Sequence, residues 1–348
     1  MAGRPSIRAS PMRYSAMHVG LVGAGRIGAL HARLLLASPA VDALTIADLE
    51  PDRAAKLAAD VGATAAPTPA ALVDAGVDAL VITAATAAHA ELIHLGADAG
   101  LPTFCEKPIA LDLEATDAVI EHVRETGIAL QIGFQRRFDA GYQEARRRVA
   151  AGEPGRLLVV RMATHDPAPP HESYIPVSGG IFRDLHIHDF DILRWVTGQE
   201  VAEVYADGAV LDDHMFARYG DIDTAVAVLR LEDGTLAILS GTRRDPLGYD
   251  VRMELFGVRD SIAVGLDDRT PLRSVEPDAA APPGPGYRDF MQRFEPAYRA
   301  ELAAFVEVAQ GRAASRCTGE DARACLLVAI AADRSRAEHR PVRVEEVA

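Results

Sequence analysis

With 348 residues the chain is long for a single core, and its 36 basic against 50 acidic side chains leave a net charge of -14. That charge repels phosphate backbones and anionic membranes, and no apolar run approaches the roughly 20 residues of a membrane span, which sets nucleic acid and membrane aside as partners. Cys105, Cys317 and Cys325 form no CxxC and cannot all pair, so neither a disulfide framework nor a thiolate zinc site is indicated, and a reducing cytoplasm is the expected compartment.

Residues 1–16 lack the apolar centre of a secretory signal and read as a disordered tail. From Met17 an apolar strand, MHVGLV, runs into Gly23, Gly25 and Gly28 and then into a helical pattern, the full G-x-G-x-x-G in its strand-turn-helix setting. The first glycine permits a tight turn, the second lets a pyrophosphate approach the backbone, and the third lets helix and strand pack closely. A second strand, VDALTIADLE, ends at Asp48, about twenty residues past Gly28, where a carboxylate accepts from both ribose hydroxyls. An acid there repels a 2′-phosphate, so NAD is expected over NADP; Arg53 is the one close base that opposes this.

The alternation continues with helices near 51–61, 88–99 and 113–126 and strands DALVITA, PTFCEK and ALQIGF. Such a pattern implies right-handed crossovers and a parallel sheet that binds ligands at the carboxyl ends of its strands. Those ends nominate the turn from Gly23 to Gly28 with Arg26 and Ile27, then Asp48 with Leu49, the loop 84–89 with His89, Glu106 with Lys107, and the stretch 133–137. Lys107 sits where the nicotinamide end of the cofactor is expected. Pro108 restrains it to extended geometry or permits a cis bond, either of which aims the side chain; the plain alternative is an exposed loop lysine.

After Phe134 the strands become rich in β-branched residues: RLLVVRMATHD, EVAEVYADGAVL, TAVAVLRLE, TLAILSGTRR, YDVRMELFG and DSIAVGL. Short turns such as Glu232-Asp233-Gly234 mark hairpins and a mainly antiparallel sheet. The expected class is α/β: a doubly wound parallel Rossmann sheet over residues 17–134, then an α+β domain over 135–348. A Pro- and Gly-rich loop at 277–286 precedes two closing helices near 286–310 and 318–336.

Within this half, GGIFRDLHIHDFDILRW gathers two of the 11 histidines, three aspartates and the single tryptophan. Read as one helix from Gly180, it places Asp184 and His188 four residues apart on one face, continued by Asp191 and Trp195, with His186 nearly opposite. The segment alone leaves three readings open: a buried pair satisfying each other, two ligands of a metal, or a general base with its orienting carboxylate.

GAGRIGALHA, EKPIA and GGIFRDLHIHDFDILRW together resemble the signatures of the glucose-fructose oxidoreductase, inositol dehydrogenase and rhizopine catabolism (Gfo/Idh/MocA) oxidoreductases, in their order and over nearly the whole chain from Met17. GFQRRFD, GGIFRDLHIHD and GYDVRMELFG look most similar to the NAD-dependent inositol 2-dehydrogenases. The resemblance implies a Lys-Asp-His catalytic triad on Lys107, Asp184 and His188, oxidising a ring secondary alcohol of a cyclitol or sugar. It makes a metal improbable, since NAD is the electron acceptor. It further implies that Arg137, His165, Tyr249 and Tyr298 line the polyol side, that His186 serves packing or an interface, and that the apolar face of the second sheet forms a homo-oligomer, a tetramer or dimer. Where relatives often read like S-P-T-x-x-H, this chain has Ala84, Ala85, Thr86, Ala87, Ala88 and His89, so only Thr86 carries over as a cofactor contact there. The rival functions are a sugar or glycoside dehydrogenase or ketose reductase of the same family, a non-catalytic NAD-binding sensor, which would normally lack a triad member, and a metal hydrolase.

Overall fold

The computed structural model describes residues 16–279 and 284–348. The tail read over 1–16, apart from Ala16, and the middle of the Pro- and Gly-rich loop lie outside the described residues. In the first part, strands β1 (Met17–Val22), β2 (Val41–Ala47), β3 (Thr64–Ala65), β4 (Ala79–Ile82), β5 (Thr103–Glu106) and β6 (Leu130–Gly133) pair in parallel in the order β3-β2-β1-β4-β5-β6. Helices α1 (Arg26–Leu36), α2 (Pro51–Val61), α3 (Pro69–Asp74), α4 (His89–Asp98) and α5 (Leu113–Thr126) connect them. Strand order reverses between β1 and β4, the switch point at which doubly wound sheets bind ligands.

Local chemistry sets these limits. Pro51 opens α2, where a missing N–H costs nothing, and Gly62, at φ 77°, closes it. For α5 the Asp112 side chain accepts from the Ala115 N–H, and Gly127 at φ 70° ends it. Val19, Leu21, Leu80, Val81, Ile82, Phe104 and Ile132 are fully buried, as expected of strands covered on both faces.

Helix α6 (Ala140–Ala150) leads into a seven-stranded sheet of β7 (Leu157–His165), β8 (Val201–Ala209), β9 (Thr224–Leu231), β10 (Leu236–Thr242), β11 (Asp250–Gly257), β12 (Ser261–Val264) and β13 (Val342–Arg343). Its order is β12-β11-β7-β10-β9-β8-β13, antiparallel except for the parallel pair β7 and β10. Gly234, at φ 88°, turns β9 into β10 as the hairpin signal required. Helices α7 (Ile175–Ser178), α8 (Ile181–Asp184), α9 (Ile187–Thr197), α10 (Phe290–Ala309) and α11 (Gly319–Glu338) complete the chain. The last two begin where capping dictates: Asp289 accepts from Gln292 N–H, and Thr318 forms a capping box with Asp321.

One expected element divides. The segment from Gly180 is two helices, α8 and α9, broken at Leu185 and His186. The backbone N–H groups of both residues converge on the Ile181 carbonyl, at 3.0 Å each, and the His186 ring turns back to Asp189, with Nδ1 2.8 Å from Oδ2. His186 is fully buried against β10, where a Cβ on Gly241 would lie 2.2 Å from its Nε2. Its assignment to packing agrees with that position.

Candidate active site

The Gly-rich turn is shaped by contacts that exclude side chains. Gly23 lies at φ 110°, and a Cβ there would meet the Thr83 and Ala84 backbone within 2.6 Å. One on Gly28 would sit 1.9 Å from the Gly23 carbonyl oxygen, whereas one on Gly25 would meet nothing within 4 Å. The turn is thus packed behind and open in front, as an approaching pyrophosphate requires. Thr83, which the sequence reading passed over, donates from Oγ1 to the Gly23 carbonyl at 2.8 Å and ties the turn to β4. Asp48 accepts from Ala24 N–H at 2.6 Å and from Glu50 N–H at 2.9 Å, leaving lone pairs for two ribose hydroxyls. Arg53 is engaged by Glu50 at 3.0 Å. Leu49 stands 97% exposed beside Asp48, Arg26 is exposed 3.8 Å from Asp289, and Ile27 packs partly against the core. These residues fit NAD.

Two further loops close the sheet end. Thr86 lies half-buried in a 3-10 turn, and His89 is buried with Nδ1 2.7 Å from the Pro108 carbonyl and Nε2 3.0 Å from the Ala84 carbonyl. His89 therefore joins the 84–89 loop to the Lys107 loop from behind. Glu106 likewise turns inward, with Oε1 2.9 Å from His31 Nε2 on α1. The Lys107–Pro108 bond is cis, and the lysine side chain crosses to the second part of the molecule. There Nζ donates to the Asp184 carbonyl at 2.8 Å and to Asp184 Oδ1 at 3.2 Å.

Asp184 gathers more donors than the sequence suggested. Oδ1 also accepts from the Tyr174 hydroxyl at 2.8 Å, and Oδ2 accepts from Arg243 Nη2 at 2.8 Å. Arg243 Nη1 in turn reaches Asp166 at 3.1 Å. Burial by itself would raise the Asp184 carboxyl, but Lys107 and Arg243 outweigh it and hold the group well below the usual range. His188 is half-buried one turn away, edge-on to Phe134, and its inward Nδ1 has no hydrogen-bond partner among the described residues. Burial, reinforced by Lys107 and Arg136, pushes its pKa well down and keeps the imidazole neutral. The helix break explains why Asp184 serves Lys107, Tyr174 and Arg243 instead of the i+4 imidazole expected of one continuous helix.

The other expected positions differ in where they lie. Arg137 does not face the cleft: at 3% exposure it is bound by Asp191 through Nε and Nη2 and by Asp321 at 3.0 Å. Burying both partners of such a pair demands these full contacts. Asp191 is thereby removed from the active line, and Trp195 lies beneath Arg146, 4.3 Å from ring to guanidinium. Arg136 is also buried, donating to Asp189 at 2.6 Å and Thr164 at 3.1 Å. Tyr298 is buried on the side of α10 that faces α1, its ring 5.6 Å from that of His31. Tyr249 is buried at the start of β11, edge-on to Phe294. His165 closes β7, half-buried, with Nε2 3.2 Å from Ser240 and Nδ1 3.7 Å from Asp245. His165, Asp245 and Asp250 are grouped closely enough to hold a cation, but Asp250 already takes two bonds from Arg252.

Residues 17–134 match the model of an oxidoreductase family with an NAD-binding Rossmann fold, and residues 142–263 match the Gfo/Idh/MocA C-terminal domain. The chain belongs to the Gfo/Idh/MocA oxidoreductases. Among relatives of this family, a myo-inositol dehydrogenase of Streptomyces leeuwenhoekii is 43% identical over 322 residues, covering 92% of this chain and 97% of that one. The crystal structure of a myo-inositol dehydrogenase from Corynebacterium glutamicum superposes with a TM-score of 0.85 at 35% identity, over 94% of this chain and 99% of that one. A scyllo-inositol dehydrogenase from Lactobacillus casei, solved with NAD(H) and scyllo-inositol, superposes at 0.86 with 28% identity, over 95% and 100%. This Gfo/Idh/MocA protein is an NAD-dependent oxidoreductase with an NAD-binding Rossmann domain. Among the described residues no helix is long and apolar enough to cross a membrane.

Proposed function

We propose that this oxidoreductase removes hydride from a ring secondary alcohol of an inositol, at the 2-position, with NAD favoured over NADP, and that Lys107, Asp184 and His188 carry the proton chemistry. The observation that supports the reading is the contact of Lys107 with Asp184: Lys107 leaves the carboxyl end of β5 and bonds Asp184, with the half-buried, neutral His188 one turn further on. The full-length likeness to inositol dehydrogenases supports the substrate class.

Bound NAD supplies the hydride acceptor. The protein's part is to remove the hydroxyl proton as negative charge grows on the oxygen. A neutral imidazole is ready to take that proton, which a cationic one is not. Lys107, held in place by the Asp184 carbonyl and carboxylate, is placed to donate to the developing alkoxide. Asp184 keeps its charge through the neutral pH range and so retains Lys107 in position. His165, half-buried with Ser240 at the strand end, is suited to pair with a ring hydroxyl, and a site built from such groups rejects analogues lacking that hydroxyl. The front of the Gly-rich turn would hold the pyrophosphate, Asp48 the adenine-side ribose, and exposed Leu49 the adenine face.

The deciding measurement is nicotinamide absorbance on incubating the protein with NAD or NADP and cyclitols, free aldoses and glycosides. Reduction of NAD with myo-inositol is expected, falling by about 10²-fold or more in Lys107→Met and His188→Asn proteins that still bind NAD. Turnover confined to an aldose or glycoside would overturn the substrate. Saturable NAD binding with no turnover of any alcohol would favour a sensor.

A further inference from the structure

β10 ends at Thr242, and the next side chain, Arg243, turns inward and is almost wholly buried. Its two terminal nitrogens bridge two carboxylates from different elements: Asp184 at the end of α8 and Asp166, one residue past β7. Asp184 thus has one oxygen held by Arg243 and the other turned to Lys107 and Tyr174. We propose that Arg243 is a positioning residue for the oxidoreductase reaction: it aims Asp184 at Lys107, and its charge sets the pH range in which Lys107 works. This rests on the reading that Lys107 lies beside the reacting hydroxyl.

The argument is one of geometry and charge balance. A planar fork holds two carboxylates at a fixed separation through its two terminal nitrogens, where a single ammonium would not. Two cations, Lys107 and Arg243, stand against two anions, Asp184 and Asp166, in a setting where Coulomb terms are weakly screened. The other ionisable groups around them are Tyr174 on the cleft side, His188 on α9, Asp221 against the start of α8, Glu106 on β5 and His89 behind the Lys107 loop. None of these replaces the charge of Arg243 if it is removed. Lys107 would then face two carboxylates with one cation fewer and hold its proton more tightly.

The test is the pH dependence of kcat/KM for alcohol oxidation, with NAD binding and thermal unfolding measured on each variant. Because Lys107 works in its protonated form, the midpoint of the falling limb is expected to move up by about one pH unit in Arg243→Met, while the misaimed Asp184 costs about 10²-fold in rate near neutrality. Arg243→Lys should bring the midpoint back while recovering only part of the rate. Asp166→Asn removes an anion, so its midpoint should move down. Equal losses in both Arg243 variants with the limb in place would overturn the proposal, leaving only a packing role. If Arg243→Met does not fold, Asp166→Asn decides alone: a lowered midpoint supports the charge balance, and an unmoved one overturns it. Full activity in Lys107→Met would instead refute the underlying triad.

Discussion

Asp48 is placed to divide NAD from NADP. Its oxygens are fixed by the Ala24 and Glu50 N–H groups, so a 2′-phosphate would meet a carboxylate that cannot swing away, while Arg53 is occupied by Glu50. Juxtaposed like charges at a binding interface cost several kcal/mol, enough for a preference of two to three orders of magnitude. Asp48→Ala is therefore expected to raise KM for NAD about tenfold or more and to cut the ratio of kcat/KM for NAD over NADP by about 10²-fold; an unchanged ratio would remove Asp48 from cofactor choice. This residue was legible because strand, glycines and acid follow at a spacing that chain geometry enforces. Arg136 and Arg137 were not. A 3-10 turn over Gln135–Phe138 buries both, and partners 53 and 54 positions away, Asp189 and Asp191, decide where each points. Arg243 and Tyr174 escaped notice for a similar reason: a strand end and an unpatterned loop carry no periodicity that would assign their side chains to Asp184.

Longer elements announced themselves through period and caps, and the break between α8 and α9 did not, because it depends on His186 finding Asp189 and Gly241 after folding. The same region carries a pH-sensitive contact. Asp333 on α11 faces Arg183 of α8 at 3.0 Å, and burial pushes its carboxyl up to about 6, against the opposing pull of Arg183 and Arg336. A carboxyl whose pKa is higher folded than unfolded binds more protons in the native state. Its contribution to stability is therefore greatest in acid and is lost as pH rises from about 4 to about 6. Removing that charge should help above this window and not below it. Asp333→Asn is expected to stabilise the protein by about 2 kcal/mol at pH 8 and to have little effect at pH 4. Denaturant melts at the two pH values check it; equal effects at both would mean that Asp333 ionises normally.

At the scale of the molecule, the second sheet has two unlike faces. Along β9, Ala225, Ala227, Leu229 and Leu231 are buried, while Val226 and Val228 are about half exposed; Ile238 on β10 and Tyr205 on β8 extend the exposed set across neighbouring strands. Alternation along AVAVLRL was visible in the sequence, but what covers its outer side was not, since a strand pattern says which residues share a face and nothing about what meets it. A contiguous apolar patch over three strands is costly to leave in water, and the family resemblance points to a second copy of the chain as its cover. We propose that this face joins subunits. Val228→Glu with Ile238→Lys places charges at its centre without touching the buried side of either strand. The expected outcome is a fall in molar mass by light scattering to that of a smaller species or the monomer. NAD binding should persist, because the glycine turn and Asp48 belong to the other sheet. Substrate KM should rise, since Ser240, which contacts His165, stands two residues along β10 from Ile238. A wild-type mass in the double variant would show that subunits, if they associate, do so through another surface.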